Sequence, residues 1–88
     1  MVPSLDHRAV VDTAKSLTRT QQDALRAIAF FRPQKKVGEG WLVGDRRLSE
    51  RIVERLEQLE LVEESFVRGE PVLQLTVVGQ AIKDRLLH

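Results

Sequence analysis

Residues 46–62 read Arg46-Arg47-Leu48-Ser49-Glu50-Arg51-Ile52-Val53-Glu54-Arg55-Leu56-Glu57-Gln58-Leu59-Glu60-Leu61-Val62. Wound at about 100° per residue, this stretch predicts the longest amphipathic helix of the chain, over 45–58, with Asp45 as its N-cap. Leu48, Ile52, Leu56 and Leu59 fall on one narrow apolar stripe. Arg47, Arg51 and Arg55, spaced four apart, make a ridge along one border of it, and Glu50, Glu54, Glu57 and Glu60 take the far side. One element thus carries a core face, a basic edge and an acidic back.

Beyond Gln58 the apolar period changes from 3.6 to 2. Leu61, Glu63, Ser65 and Val67 alternate with Val62, Glu64, Phe66 and Arg68, then Gly69-Glu70-Pro71 turns the chain into Val72-Leu73-Gln74-Leu75. This is the pattern of a β-hairpin, with Pro71 confined to the turn or a strand end because it has no N–H. Val62 and Phe66 fit one face, opposite Leu73 and Leu75. Thr76 is placed to cap a last helix over 77–87, whose inner side reads Val78, Ala81, Ile82, Arg85 and Leu86.

Upstream, Trp41-Leu42-Val43 between glycines predicts a brief strand, and residues 32–40, with Pro33, two glycines, Arg32, Lys35 and Lys36, read as a loop. A helix starts at Thr18 or Thr20, since Thr18-x-x-Gln21 and Thr20-x-x-Asp23 both fit a capping box. It buries Leu25, Ile28 and Ala29, is flanked by Ala24 and Phe31, and stops before Pro33. A first helix over 4–17, capped by Ser4 with Asp6 in its first turn, carries the thin stripe Val10, Ala14 and Leu17, which must pack on something to be stable.

The chain has 88 residues and no cysteine, so one small domain is expected, with no disulfide or thiolate metal site. A small core without such staples is often enlarged by pairing with a second copy, here through the terminal helices. No apolar run approaches the roughly 20 residues of a membrane span, and the first residues lack a signal-peptide pattern, so a cytoplasmic location and no membrane partner are expected. The net charge is only +1, but residues 1–36 hold seven Lys/Arg against three Asp/Glu, whereas residues 56–70 hold Arg68 against five glutamates. Such a gradient can orient one molecule against another. His7 and His88 lie near opposite ends, and Val37-Gly38-Glu39-Gly40 lacks the Lys-Ser/Thr of a phosphate loop. Nothing assembles a nucleophile and base or a ligand set, so neither an enzyme nor a cofactor is expected.

Leu56-Glu57-Gln58-Leu59-Glu60-Leu61-Val62, leading through the hairpin to Leu75-Thr76-Val77-Val78-Gly79, resembles the wing region of MarR-type winged helix–turn–helix regulators. These show Leu-x-x-Leu-Gly-Leu-Val, a two-stranded wing and then Leu-Thr-x-x-Gly. Leu17-Thr18-x-x-Gln21-x-x-Ala24-Leu25 resembles the start of the helix before their DNA-binding motif. The likeness covers about residues 17–87. It implies an α+β winged helix with extra N- and C-terminal helices around a small antiparallel sheet: 4–17 the N-terminal helix, 18–76 the core, 77–88 the C-terminal helix. It also implies a recognition helix at about 45–58, a wing at 61–76 with its tip at Arg68-Gly69-Glu70, and a homodimer. This chain departs from the pattern at Glu60, where the family has glycine, between Pro33 and Gly44, where no helix is evident, and at the wing, which is acidic.

Two functions fit. The first is DNA binding in transcriptional control, with Arg46, Arg47, Arg51 and Arg55 on the groove-facing helix and Lys35, Lys36 and Arg68 reaching flanking phosphates of a double-stranded partner. The alternative is a protein-interaction or dimerisation module on the same frame, docking through its divided charge.

Overall fold

A computed structural model describes residues 14–31 and 34–86. The cap expected at Ser4, Val10 of the first stripe, both histidines, Arg32 and the stop at Pro33 lie outside them. Residues 14–16 are helical, with Ala14 and Leu17 buried. The elements that follow are α1 (Arg19–Phe30), β1 (Gln34–Val37), β2 (Gly40–Val43), β3 (Arg46–Ser49), α2 (Glu50–Gln58), β4 (Val62–Val67), β5 (Glu70–Leu75) and α3 (Val77–Leu86). The protein is a small α+β domain with antiparallel sheets.

Thr18 decides where α1 begins. Its Oγ1 accepts from the Gln21 N–H at 3.1 Å, and its own N–H donates to Gln21 Oε1 at 3.0 Å, a complete capping box. The inner face of α1 is Ala24, Leu25, Ala27 and Ile28, which packs against α2, α3 and β5.

The segment expected to be a loop is strand. β1, β2 and β3 form an antiparallel meander in the order β1-β2-β3. Each connection has two residues, Gly38-Glu39 and Gly44-Asp45, with a positive φ only at the glycine (54° and 62°). That is the pattern of a type II′ hairpin turn, whose twist suits the flanking strands and whose first central position favours glycine. Trp41, Val43 and Leu48 point from this sheet into the core.

The largest correction concerns the start of the arginine-rich helix. Arg46–Ser49 is β3, and α2 begins only at Glu50. Ser49, not Asp45, is the N-cap: its Oγ accepts from the Ile52 N–H at 3.3 Å. Leu48 therefore reaches the core from a strand. On the helix the most buried side chains are Leu56 and Val53, the latter outside the expected stripe, while Ile52 and Leu59 are half-buried.

α2 ends in a Schellman motif. The Glu60 N–H donates to the Glu57 carbonyl and the Leu61 N–H to the Leu56 carbonyl, while Glu60 takes the left-handed conformation at φ 60°. Leu56 and Leu61, the apolar pair that accompanies such an ending, are both fully buried. Glutamate thus occupies a backbone position that glycine would take without strain.

β4 and β5 form the expected hairpin, closed by Arg68-Gly69 with positive φ at both residues (53° and 80°), the type I′ pattern. The register pairs Val62 with Leu75, Glu64 with Leu73 and Phe66 with Pro71. Val62 and Leu73 are buried, whereas Phe66, on the same face as Val62, lies beyond the core edge and is 67% exposed. Thr76 begins α3, its Oγ1 accepting from the Gly79 N–H at 2.9 Å and donating to the Glu60 carbonyl at 2.6 Å. Gly79 meets the Leu61 backbone so closely that a Cβ there would overlap the Leu61 carbonyl oxygen. Leu-Thr-x-x-Gly is thus a packing device, joining the start of α3 to the end of α2. Ile82 carries the core face of α3, and Arg85, expected on its inner side, is exposed.

The two sheets meet along β1 and β5. Gln34 Oε1 accepts from the Leu73 N–H at 2.6 Å, and Lys36 Nζ lies 4.0 Å from Glu64 Oε2. Among the described residues no helix is long and apolar enough to cross a membrane.

Candidate nucleic-acid interface

The exposed surface of α2 is divided by charge. Arg51, Arg55 and Gln58, spaced four and three apart, follow one side of the helix. Glu50, Glu54 and Glu57, with the same spacing, follow the other. All six are exposed because Val53 and Leu56 fix the opposite side of the helix in the core. Arg55 Nη1 lies 3.5 Å from Gln58 Oε1, which steadies the guanidinium beside a neutral amide. Among the described residues, no carboxylate lies within 4.0 Å of Arg46, Arg47, Arg51, Arg55, Arg68 or Lys35. The glutamates of α2 share its surface without binding its arginines.

The ridge expected from 47 to 55 is therefore two separate groups. Arg51 and Arg55 are its helical part. Arg47 belongs to β3, where the register sets it opposite Leu42, itself opposite Lys35 on β1. Directly paired residues share a sheet face, so Lys35, Leu42 and Arg47 form a row across the side away from Trp41. All three are exposed.

The remaining candidates stand apart. Arg46 pairs with Val43 and borders a hollow of about 350 Å³ with Asp23, Arg26, Ala27, Phe30 and Phe31. Lys36 faces the other side of β1, with its ammonium 5.7 Å from the centroid of the Trp41 ring and near Glu64. Its ammonium is 4.0 Å from Glu64 Oε2, an exposed pair across the two sheets, so it stands beside a carboxylate where Lys35 does not. Arg68 occupies the β4–β5 turn.

The acidic side of α2 continues into a second hollow, of about 210 Å³, bordered by Glu39, Glu50, Glu54, Glu57, Glu64, Lys36 and Trp41. Sequence reading overlooked Gln58 and Leu42 as parts of the exposed surface. The spacing Arg51-x-x-x-Arg55-x-x-Gln58 points to the first, and the paired turns Gly38-Glu39 and Gly44-Asp45 place the second. Chemically, this surface offers positive charge and amide hydrogen bonding on a short helix. No protein-family model, curated protein or solved structure matches the chain.

Proposed function

We propose that this chain binds double-stranded DNA in transcriptional control, on a winged-helix plan with α2 as the reading helix and β4–β5 as the wing. The observation that carries the proposal is the outward side of α2. Arg51 and Arg55 are one turn apart and exposed, and no described carboxylate holds them. The nine residues of α2 span about 13 Å at 1.5 Å each, enough to lie across a major groove roughly 12 Å wide. Arginine suits both phosphate and guanine edges, and the neighbouring Gln58 can pair with adenine, so one face combines affinity with base discrimination.

Replacing Arg51 and Arg55 together with alanine tests this. Both lie off the core, so thermal melting should change little. Duplex binding in a gel-shift assay should be lost. Binding equal to that of the unaltered chain would refute α2 as the reading element.

A second reading rests on a different observation. The acidic stripe Glu50, Glu54 and Glu57 and the exposed Phe30 (67%) and Val77 (73%) suit a protein partner or a second copy of this chain, as in a homodimer. That reading requires negligible affinity for any duplex even at low salt.

A further inference from the structure

The outer face of the three-stranded sheet has no part in the role given to α2, and its composition is unusual for this protein. The residues that point to it are Lys35 and Val37 from β1, Gly40 and Leu42 from β2, and Arg47 and Ser49 from β3. None is acidic. The two nearby carboxylates, Glu39 and Asp45, belong to the turns. The register aligns Lys35, Leu42 and Arg47 in one row, with Leu42 38% exposed between the two cations. No described carboxylate lies within 4.0 Å of Lys35 or Arg47.

We infer that this face is a second contact surface for duplex DNA, in which Lys35 and Arg47 each neutralise a backbone phosphate. The inference rests on the DNA-binding reading of α2 and adds to it the surface that supplies sequence-independent affinity. β1 and β3 are two strand spacings apart, about 10 Å, so the two cations are too widely separated to share one phosphate and count as two contacts. Leu42 lets the sheet approach the sugar–phosphate chain without burying a polar group. Single-stranded nucleic acid is a poorer fit, since it is held by bases stacked on exposed aromatic rings, and this face has none. Trp41, the only tryptophan, is buried on the opposite side of the sheet.

The test is a salt titration of binding to a short labelled duplex, using the full chain. Each phosphate contact contributes about 0.9 to the slope of log affinity against log salt, so Lys35→Ala with Arg47→Ala should reduce that slope by about 1.8. Lys35→Gln with Arg47→Gln, which keeps much of each aliphatic stem, should give the same reduction and separates lost charge from lost packing. A slope unchanged in both variants, while Arg51→Ala with Arg55→Ala abolishes binding, overturns the inference and leaves the α2 reading standing. Absence of duplex binding by the unaltered chain at low salt overturns both. A single-stranded oligonucleotide binding more tightly than the duplex overturns the assignment of this face to duplex.

Discussion

The two sheets of this domain have the same size and opposite charge. β1–β3 and β4–β5 contribute twelve strand residues each. The strands of the first contain Lys35, Lys36, Arg46 and Arg47 and no carboxylate, whereas those of the second contain Glu63, Glu64 and Glu70 and no cation. Each sheet is half-buried, so in both the core requirement is met by alternate residues and the remaining positions are free to carry charge. Charge placement on a folded surface is therefore not dictated by the fold. The proposed wing is thus the acidic one of the two sheets, and Arg68 at its turn is the cation it can bring to a duplex. α2 stands between the two, entered from β3 and leaving into β4.

If α2 joins the sheets, its core contact should matter most. Leu56 is fully buried and its carbonyl accepts the bond that ends the helix. Leu56→Ala should lower unfolding free energy by about 2–5 kcal/mol through cavity formation. A denaturant midpoint close to that of the unaltered chain would separate the sheets from α2 and break the comparison. Gly79→Ala addresses the acidic hairpin's side alone. In an ordinary helix interior this change gains roughly 1 kcal/mol. Here the added methyl meets the Leu61 carbonyl, and a loss of about 1–3 kcal/mol is expected from overpacking. A gain on thermal melting would mean that the start of α3 is not held against the end of α2.

The seam between the sheets can be probed at Gln34. Gln34→Ala removes the acceptor of the Leu73 N–H and should cost about 1 kcal/mol, toward the lower end for an orphaned backbone group because the site is only partly buried. Unchanged stability together with unchanged hydrogen exchange at Leu73 would show that the sheets are held together only by the core. The smallest effect is expected at Glu60. Exchange for glycine removes the strain of a left-handed non-glycine residue, worth about 1 kcal/mol, and adds freedom to the unfolded chain, leaving a net gain of about 0.5 kcal/mol. A loss would imply that the glutamate side chain contributes something beyond its backbone.

The elements legible in the sequence are those with local chemistry specific to them. The capping boxes offered by Thr18 and Thr20 located the start of α1 to within two residues, the switch to period 2 located β4–β5, and Thr76 located the start of α3. β1 and β3 were hidden because Gln34-Lys35-Lys36 and Arg46-Arg47 are poor strand formers whose pairing is fixed by tertiary context. Leu48 compounded the error, since it stands four residues before Ile52 and completes a helical stripe although it reaches the core from a strand. Two local signals argued otherwise: three four-residue runs separated by Gly38-Glu39 and Gly44-Asp45, and Ser49 immediately before Glu50, a better helix start than Asp45. At the candidate interface the residue types were legible, but their grouping was not. Which arginines stand together depends on where the strand stops and the helix begins, and only the register puts Lys35 and Arg47 in one row on either side of Leu42.

The proposed function requires that the exposed arginines of α2 meet the phosphates of a duplex. Its most direct measurement is the binding of the unaltered chain to duplex DNA as monovalent salt is raised from about 50 to 200 mM, the range over which counterion release is read. The expected result is measurable affinity at the lower concentration and a linear fall of log affinity with log salt. No binding at the lower concentration, or an affinity indifferent to salt, would contradict the claim.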